Sequence, residues 1–492
     1  MSPMGRSGWI AILAIWAFGA RAQSLDGRCR TELRPVLQAL VTELKIPGLA
    51  VGIVAEGKLV CAEGFGARKL GGTDAIDAES LFHMASVTKT FVATALMQLV
   101  EQGKVDLDAP VVQYVSYFRL KDERYKAITV RQMARHISGM PDVEDYEWNK
   151  PVYDDGALAR YVKSLSGEML IAAPGTMFRY SNMAFEVLGD LVAEVSGETF
   201  EGYVERHILT PLGMKSSTLL VKKADPSKLT TPHVLNSNIE IGVSPVFPYN
   251  RMHAPSSTLY SNINDMSRYA MANLNRGELD GSRILQTRTY DTLWTPQGDF
   301  KQVGISWFVG KYRDEQTVAH AGGDTGFRSN LVLLPARKAA VIAMSNYDRV
   351  PMGDITNALL DTAMGMTPKP IAIKTSIALE VGRTMVKDGI EAGQRRYGDL
   401  KKTQPNAYDF RENQLNQLGY MFMQDRKYKE AIAVLRLNAE AYPESSNAYD
   451  SLGEAYLRAG DTRQAAENYE RSLKLDPKNK NAEDHLRKLK VQ

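Results

Sequence analysis

The spacing of apolar residues along the chain changes period several times, and each change marks an element. Leu33, Val36, Leu37, Leu40, Val41 and Leu44 fall at helical intervals, so residues 30–45 are predicted as an amphipathic helix that stops before Pro47-Gly48. Residues 49–66 read as a hairpin, with Leu49–Val54 and Leu59–Ala62 on either side of a Glu56-Gly57 turn. A helix over 86–102 carries Val92, Leu96, Leu99 and Val100 on one face and ends at Gly103. From there to about residue 300 the pattern is one of helices and loops. Strand signals return at Gln316–Ala319, Leu331–Leu334 and Ala340–Ala343, the last two joined by the turn 335–338, and a helix follows at 353–364. Strands at both ends of a segment, with a helical block between, imply one antiparallel sheet built from both ends: an α+β fold with a large, mostly helical insertion. A cleft is expected where insertion and sheet meet.

After Met366-Thr367-Pro368-Lys369-Pro370 the strand signals stop. A self-similarity of 34 residues takes over, pairing Leu415 with Tyr449, Leu418 with Leu452, Gly419 with Gly453, Phe422 with Tyr456, Ala431 with Ala465 and Pro443 with Pro477. This is the tetratricopeptide pattern, in which small residues let paired helices approach and proline closes each unit. Two repeats are visible. About three are needed for a stable solenoid, so residues 375–410 are expected to add a degenerate helical pair. The domains expected are a leader at 1–22, an α+β domain at 23–366, a linker at 367–374 and an all-α repeat domain at 375–492.

The leader is read from Arg6, the apolar stretch Trp9–Ala20 and the Ala20-Arg21-Ala22 cleavage pattern, which would make Gln23 the first mature residue. The alternative is an uncleaved anchor. Removing Arg6 and Arg21 with the leader takes the formal charge from +3 to +1. Such a balance gives no electrostatic case for nucleic acid or an anionic membrane. An exported, periplasmic or secreted protein is expected. The two cysteines, Cys29 and Cys61, can be a disulfide or two buried thiols. No Cys/His cluster has zinc-ligand spacing, and neither a metal nor an organic cofactor is expected.

Three short motifs carry candidate chemistry. In Ser86-Val87-Thr88-Lys89, i,i+3 spacing at a helix start puts the lysine beside the serine, and burial would lower its pKa enough to accept the serine proton. Alone, such a string is usually a helix cap with a solvated lysine. Tyr180-Ser181-Asn182 follows Ala173-Pro174-Gly175-Thr176 and precedes a helix from Phe185 to Val195. A phenol near an ammonium can act as a base, and Asn182 offers both a donor and an acceptor. His320-Ala321-Gly322-Gly323 ends a strand. Its glycines permit close backbone approach, and the Gly323 N–H with that of Ser86 can form an oxyanion hole.

In this order, with Tyr180 94 residues after Ser86, the three motifs resemble those of class C β-lactamases and penicillin-binding proteins. The phrases His83-Met84-Ala85, Ala134–Pro141, Pro211–Met214 and Ser345-Asn346 resemble the same group, and the resemblance covers about residues 30–365. It implies that Ser86 attacks a carbonyl, that Lys89 and Tyr180 shuttle the proton and then activate water, and that Asn182 orients the substrate. It further implies that His320 and Gly322 line the substrate site and that Gly323 with Ser86 holds the oxyanion. The sequence departs from the pattern at His320, where lysine ordinarily attracts a substrate carboxylate; the group's esterases and D-amino-acid peptidases more often carry histidine or tryptophan there. The expectation is a serine hydrolase acting on a small ester or amide. A true β-lactamase is the alternative within the class, and a repeat-mediated binding or sensor protein with a vestigial hydrolase is the alternative outside it. The tail is expected to offer a protein or peptide partner a concave groove. Of the remaining histidines, His83 is expected near the site, and His136, His207, His233, His253 and His485 to be structural or solvated.

Overall fold

The computed structural model describes residues 25–236, 238–372 and 374–489; the expected leader lies outside them. The chain divides into two compact units. The first holds residues up to Val234 and Val243–Ile371, and the second holds Leu235–Gly242 and the chain from Ala372.

The first unit is organised by a six-stranded sheet: β1 Gly48–Ala55, β2 Lys58–Gly66, β3 Phe308–Tyr312, β4 Glu315–Asp324, β5 Phe327–Leu334 and β6 Ala339–Ser345. Its order is β2-β1-β6-β5-β4-β3, antiparallel throughout. Strands from the two ends of the domain meet where β1 pairs with β6, Leu49 opposite Ser345 and Ala55 opposite Ala339. The main helices of this unit include α1 Arg34–Leu44, α2 Thr88–Glu101, α3 Asn182–Ser196, α4 Ala254–Ser257, α5 Ile263–Leu274 and α6 Met352–Ala363. The core lies between the sheet and α2, α3 and α5, with Phe91, Leu96, Phe185, Leu188, Ile263 and Ile342 among its buried side chains.

Two expectations need correction here. The helix predicted from Ser86 begins at Thr88, after a 3-10 turn at Ala85–Val87. It also does not have one apolar face: Thr88 to Leu99 are buried all round, and Val100 is only half-buried. The cause is position, since α2 packs against α3 and α4 inside the domain and shows water no continuous face. Cys29 and Cys61 are joined in a disulfide with Cα atoms 6.0 Å apart. Among the described residues no helix is long and apolar enough to cross a membrane.

The second unit is built from α7 Ile377–Asp388, α8 Ile390–Thr403, α9 Glu412–Gln424, α10 Tyr428–Ala441, α11 Ser446–Arg458, α12 Thr462–Leu475 and α13 Lys480–Leu489. The small residues of the repeat act as read from the pattern. A Cβ on Gly419 would strike Leu435, and one on Gly453 would press on Tyr469. Ala431 and Ala465 are fully buried at the equivalent place. The domain boundary differs from the single linker expected. Leu235 and Ile239 belong to this unit's core with Ile377, Val381 and Leu415, so a segment from within the α+β stretch is part of it.

Candidate active site

The backbone before Ser86 is fixed from several sides. Phe82 and His83 pair with Ser261 and Tyr260, and the Met84 N–H donates to the Leu259 carbonyl at 2.7 Å. The Ser329 hydroxyl on β5 donates to the Met84 carbonyl at 2.6 Å. The Thr88 hydroxyl closes the turn by donating to the Ala85 carbonyl at 2.6 Å. Ala85 itself has φ of 48°, a left-handed conformation that disfavours a side chain. The strained turn presents Ser86 on the wall of a cleft of about 760 Å³. Gly322 on β4 lies so close that a Cβ would collide with the Met84 carbonyl oxygen, which is why glycine is required there.

Lys89, one turn after Ser86 at the start of α2, is wholly buried. Its ammonium donates to the Asn182 Oδ1 at 2.6 Å, to the Ser256 main-chain carbonyl at 2.7 Å and to the Ser86 Oγ at 3.1 Å. Burial pulls its pKa from 10.5 down to about 8, against the opposing pull of Glu186, Asp324 and Asp142. The Tyr180 ring lies 5.1 Å from the Lys89 Nζ and stacks on His136, ring centres 4.2 Å apart. Burial pushes the Tyr180 phenol well above its ordinary range, against a smaller opposing pull from Ser86 beside it. The first proton to leave this group as pH rises is therefore the lysine's. Asn182 opens α3, and its amide donates to Asp142 at 3.0 Å, which turns its carbonyl toward Lys89.

His320 lines the cleft and is 2% exposed. Its Nδ1–H donates to the Ala321 carbonyl at 2.8 Å, and burial, with Lys89 nearby, lowers its pKa to about 3. It is neutral across the working pH range. Gly322 and Gly323 line the same cleft. All the residues singled out from the motifs thus meet at one place. The motifs did not reveal Asp142, Tyr146, Phe308, Asp324 or Arg328, which also line it, because they lie outside any short signature. His83 stands where expected, its Nε2 2.9 Å from Asp324 Oδ2. His136 is buried behind Tyr180, and its Nδ1 accepts from the Ser181 N–H.

A sheet assembled from both ends of a domain, with a Ser-x-x-Lys turn facing a Tyr-x-Asn loop across a glycine-lined strand, defines the β-lactamase-fold class of serine hydrolases. The chain belongs to the beta-lactamase family, whose model matches residues 33–363. A tetratricopeptide repeat model matches residues 446–479. Among relatives, protein flp of Staphylococcus aureus strain MW2 is 25% identical over 307 residues, covering 62% of this chain and 60% of flp. An unguisins hydrolase of Aspergillus campestris is 28% identical over 334 residues, covering 63% of this chain and 60% of its own length. The chain thus spans only about three-fifths of the length of these relatives. The octameric penicillin-binding protein homologue from Pyrococcus abyssi superposes with a TM-score of 0.60 at 25% identity, over 72% of this chain and 81% of that one. A class C beta-lactamase mutant superposes with a TM-score of 0.58 at 20% identity, over 68% and 98%. That second likeness is one of fold alone.

Proposed function

We propose that the chain is an exported serine hydrolase that cleaves an ester or amide through an acyl-Ser86 intermediate, of esterase or D-amino-acid peptidase type. The observation that carries this reading is the bonding of Lys89. Two of its three hydrogen-bonding positions are held by the carbonyls of Asn182 and Ser256, and the third faces Ser86 Oγ at 3.1 Å. As an ammonium it donates there; as a neutral amine it turns a lone pair on the serine proton.

In the first step the Ser86 oxygen bonds to the substrate carbonyl carbon while its proton passes to Lys89. The carbonyl electron pair moves to oxygen, held by the N–H groups of Ser86 and Gly323. When the tetrahedral adduct collapses, the bond to the leaving group breaks, and Tyr180 relays the lysine proton to that group. Water then attacks the acyl-serine carbonyl and passes its proton to Tyr180 and Lys89; collapse of this second adduct breaks the bond to Ser86 Oγ, which takes up that proton as the acid is released. Each carrier ends in its starting state. A neutral His320 supplies no positive charge at the third motif, which favours substrates that lack the carboxylate of a penicillin.

Two features support export. One is the leader pattern; the other is the Cys29–Cys61 bond, of a kind that persists in oxidising compartments. The helical tail is proposed to bind a protein partner. Incubation with a fluorophosphonate probe followed by peptide mass mapping tests the chemistry: Ser86 is the expected site of label, and a label elsewhere or none overturns it. A panel of p-nitrophenyl esters, D-aminoacyl anilides and nitrocefin ranks the substrates. Nitrocefin turnover matching the esters would make the chain a β-lactamase.

A further inference from the structure

Behind Lys89, away from the cleft, lies a carboxylate that the chemistry above does not use. Glu186 is on α3 one turn after Asn182, so the two side chains project from one helical face. It is completely buried. Its Oε1 accepts from the Ser256 hydroxyl at 2.5 Å and from the His253 Nδ1–H at 3.1 Å, while its Oε2 is buried with no donor. A buried carboxylate left half-satisfied is destabilising. Nothing about packing requires one here, because glutamine has the same shape.

Its neighbours show what it acts on. Ser256, whose hydroxyl it holds, is the residue whose carbonyl accepts from Lys89 at 2.7 Å. The short helix α4 is pinned further by the Ser257 hydroxyl donating to Asp324 and by Pro255, which packs so tightly on Gly189 that a Cβ there would collide with it. His253 is enclosed by the rings of Tyr146, Trp148 and Tyr161, at 4.8, 5.9 and 4.8 Å between centres. Glu186 does not line the cleft, so it cannot meet a substrate or an attacking water.

We propose that Glu186 is a positioning residue that acts through Ser256 and by its charge to hold Lys89 in place and to set how readily that side chain gives up its proton. This rests on the reading of Lys89 as the base for Ser86. The other charged or titratable groups around Lys89 are Asp142 on the loop before Tyr146, Asp324 on β4, His320 on β4, His136 and Tyr180. Around Glu186 they are His253, Tyr146, Tyr161 and Tyr180. Of the carboxylates, Glu186 exerts the strongest pull on the Lys89 proton.

The test is the pH dependence of fluorophosphonate labelling at Ser86 in the full chain, in which the rate follows the amine form of Lys89. Glu186→Gln keeps an acceptor for both hydrogen bonds and removes the charge. Its labelling midpoint is expected about one pH unit below that of the unaltered protein, so the ratio of rates at pH 7 and pH 9.5 rises roughly five-fold. Labelling with an unmoved or raised midpoint overturns the role of Glu186 and leaves the hydrolase reading standing. No label on Ser86 in the unaltered protein overturns both. Should Glu186→Gln fail to fold, Ser256→Ala serves instead. It leaves the carboxylate charged with one donor fewer, so its midpoint is expected at or above that of the unaltered protein, and a lower one overturns the proposal.

Discussion

At Lys89 a cationic side chain without access to water is kept by three acceptors and by the field of three carboxylates. With Lys89 as the proposed base, its pKa of about 8 sets the expected pH dependence of the reaction. Turnover of an uncharged ester is expected to rise with pH through about 8 and level off above it, measured as kcat/KM against pH. Ser86→Ala should lower kcat by 10³-fold or more with the fold intact by circular dichroism. His320 gives a second pH signature. Its pKa is about 3 in the folded chain and 6.5 when exposed, so the unfolded state binds the extra proton between those values. Stability is therefore full above about pH 6.5 and falls as pH drops toward 3, by up to about 1.4 kcal/mol per unit from this group. Urea unfolding from pH 7 to pH 4 should show a shallower decline for His320→Asn than for the unaltered protein.

The element scale decides what was legible in the sequence. Ser86, Lys89, Tyr180, Asn182, His320, Gly322 and Gly323 were found because each sits in a short motif whose spacing is local. Asp142 and Glu186 were not, because each matters through a side chain met only in space: Asp142 through Asn182, Glu186 through Ser256. The strands and main helices were visible as periodicity, whereas the burial of α2 on all sides was not, since it depends on what surrounds it rather than on its own pattern. The tight approach of β4 to the Ser86 turn at Gly322 is a matter of element placement too. Gly322→Ala would push β4 away from Met84. The expected result is a fall in kcat/KM of about 10²-fold with far-UV dichroism unchanged, since displacement by an ångström suffices for that loss.

For the whole molecule, the pattern of sequence located the repeat region and its register but not the membership of Leu235–Gly242 in the second unit. That segment carries ordinary apolar residues, and nothing in its local spacing names the partners Ile377 and Val381. The Cys29–Cys61 bond ties the first helical turn to β2 across 32 residues. Replacing both cysteines by serine is expected to lower stability by about 2–4 kcal/mol, read from urea midpoints with and without reductant. The unaltered protein should lose a similar amount on reduction, and the double variant nothing more.

The contacts of Gly419 with Leu435 and of Gly453 with Tyr469 have a consequence for how such a tail can change length. Each joins the two helices of one repeat, and the second recurs 34 positions after the first. Duplicating a whole repeat re-creates the same seat for the next helix pair, so growth by full modules preserves every interface. A single inserted residue inside a helix instead turns all that follows by about 100° and points the small residue at solvent. The tail can thus be extended in steps of one fixed size and in almost no other way.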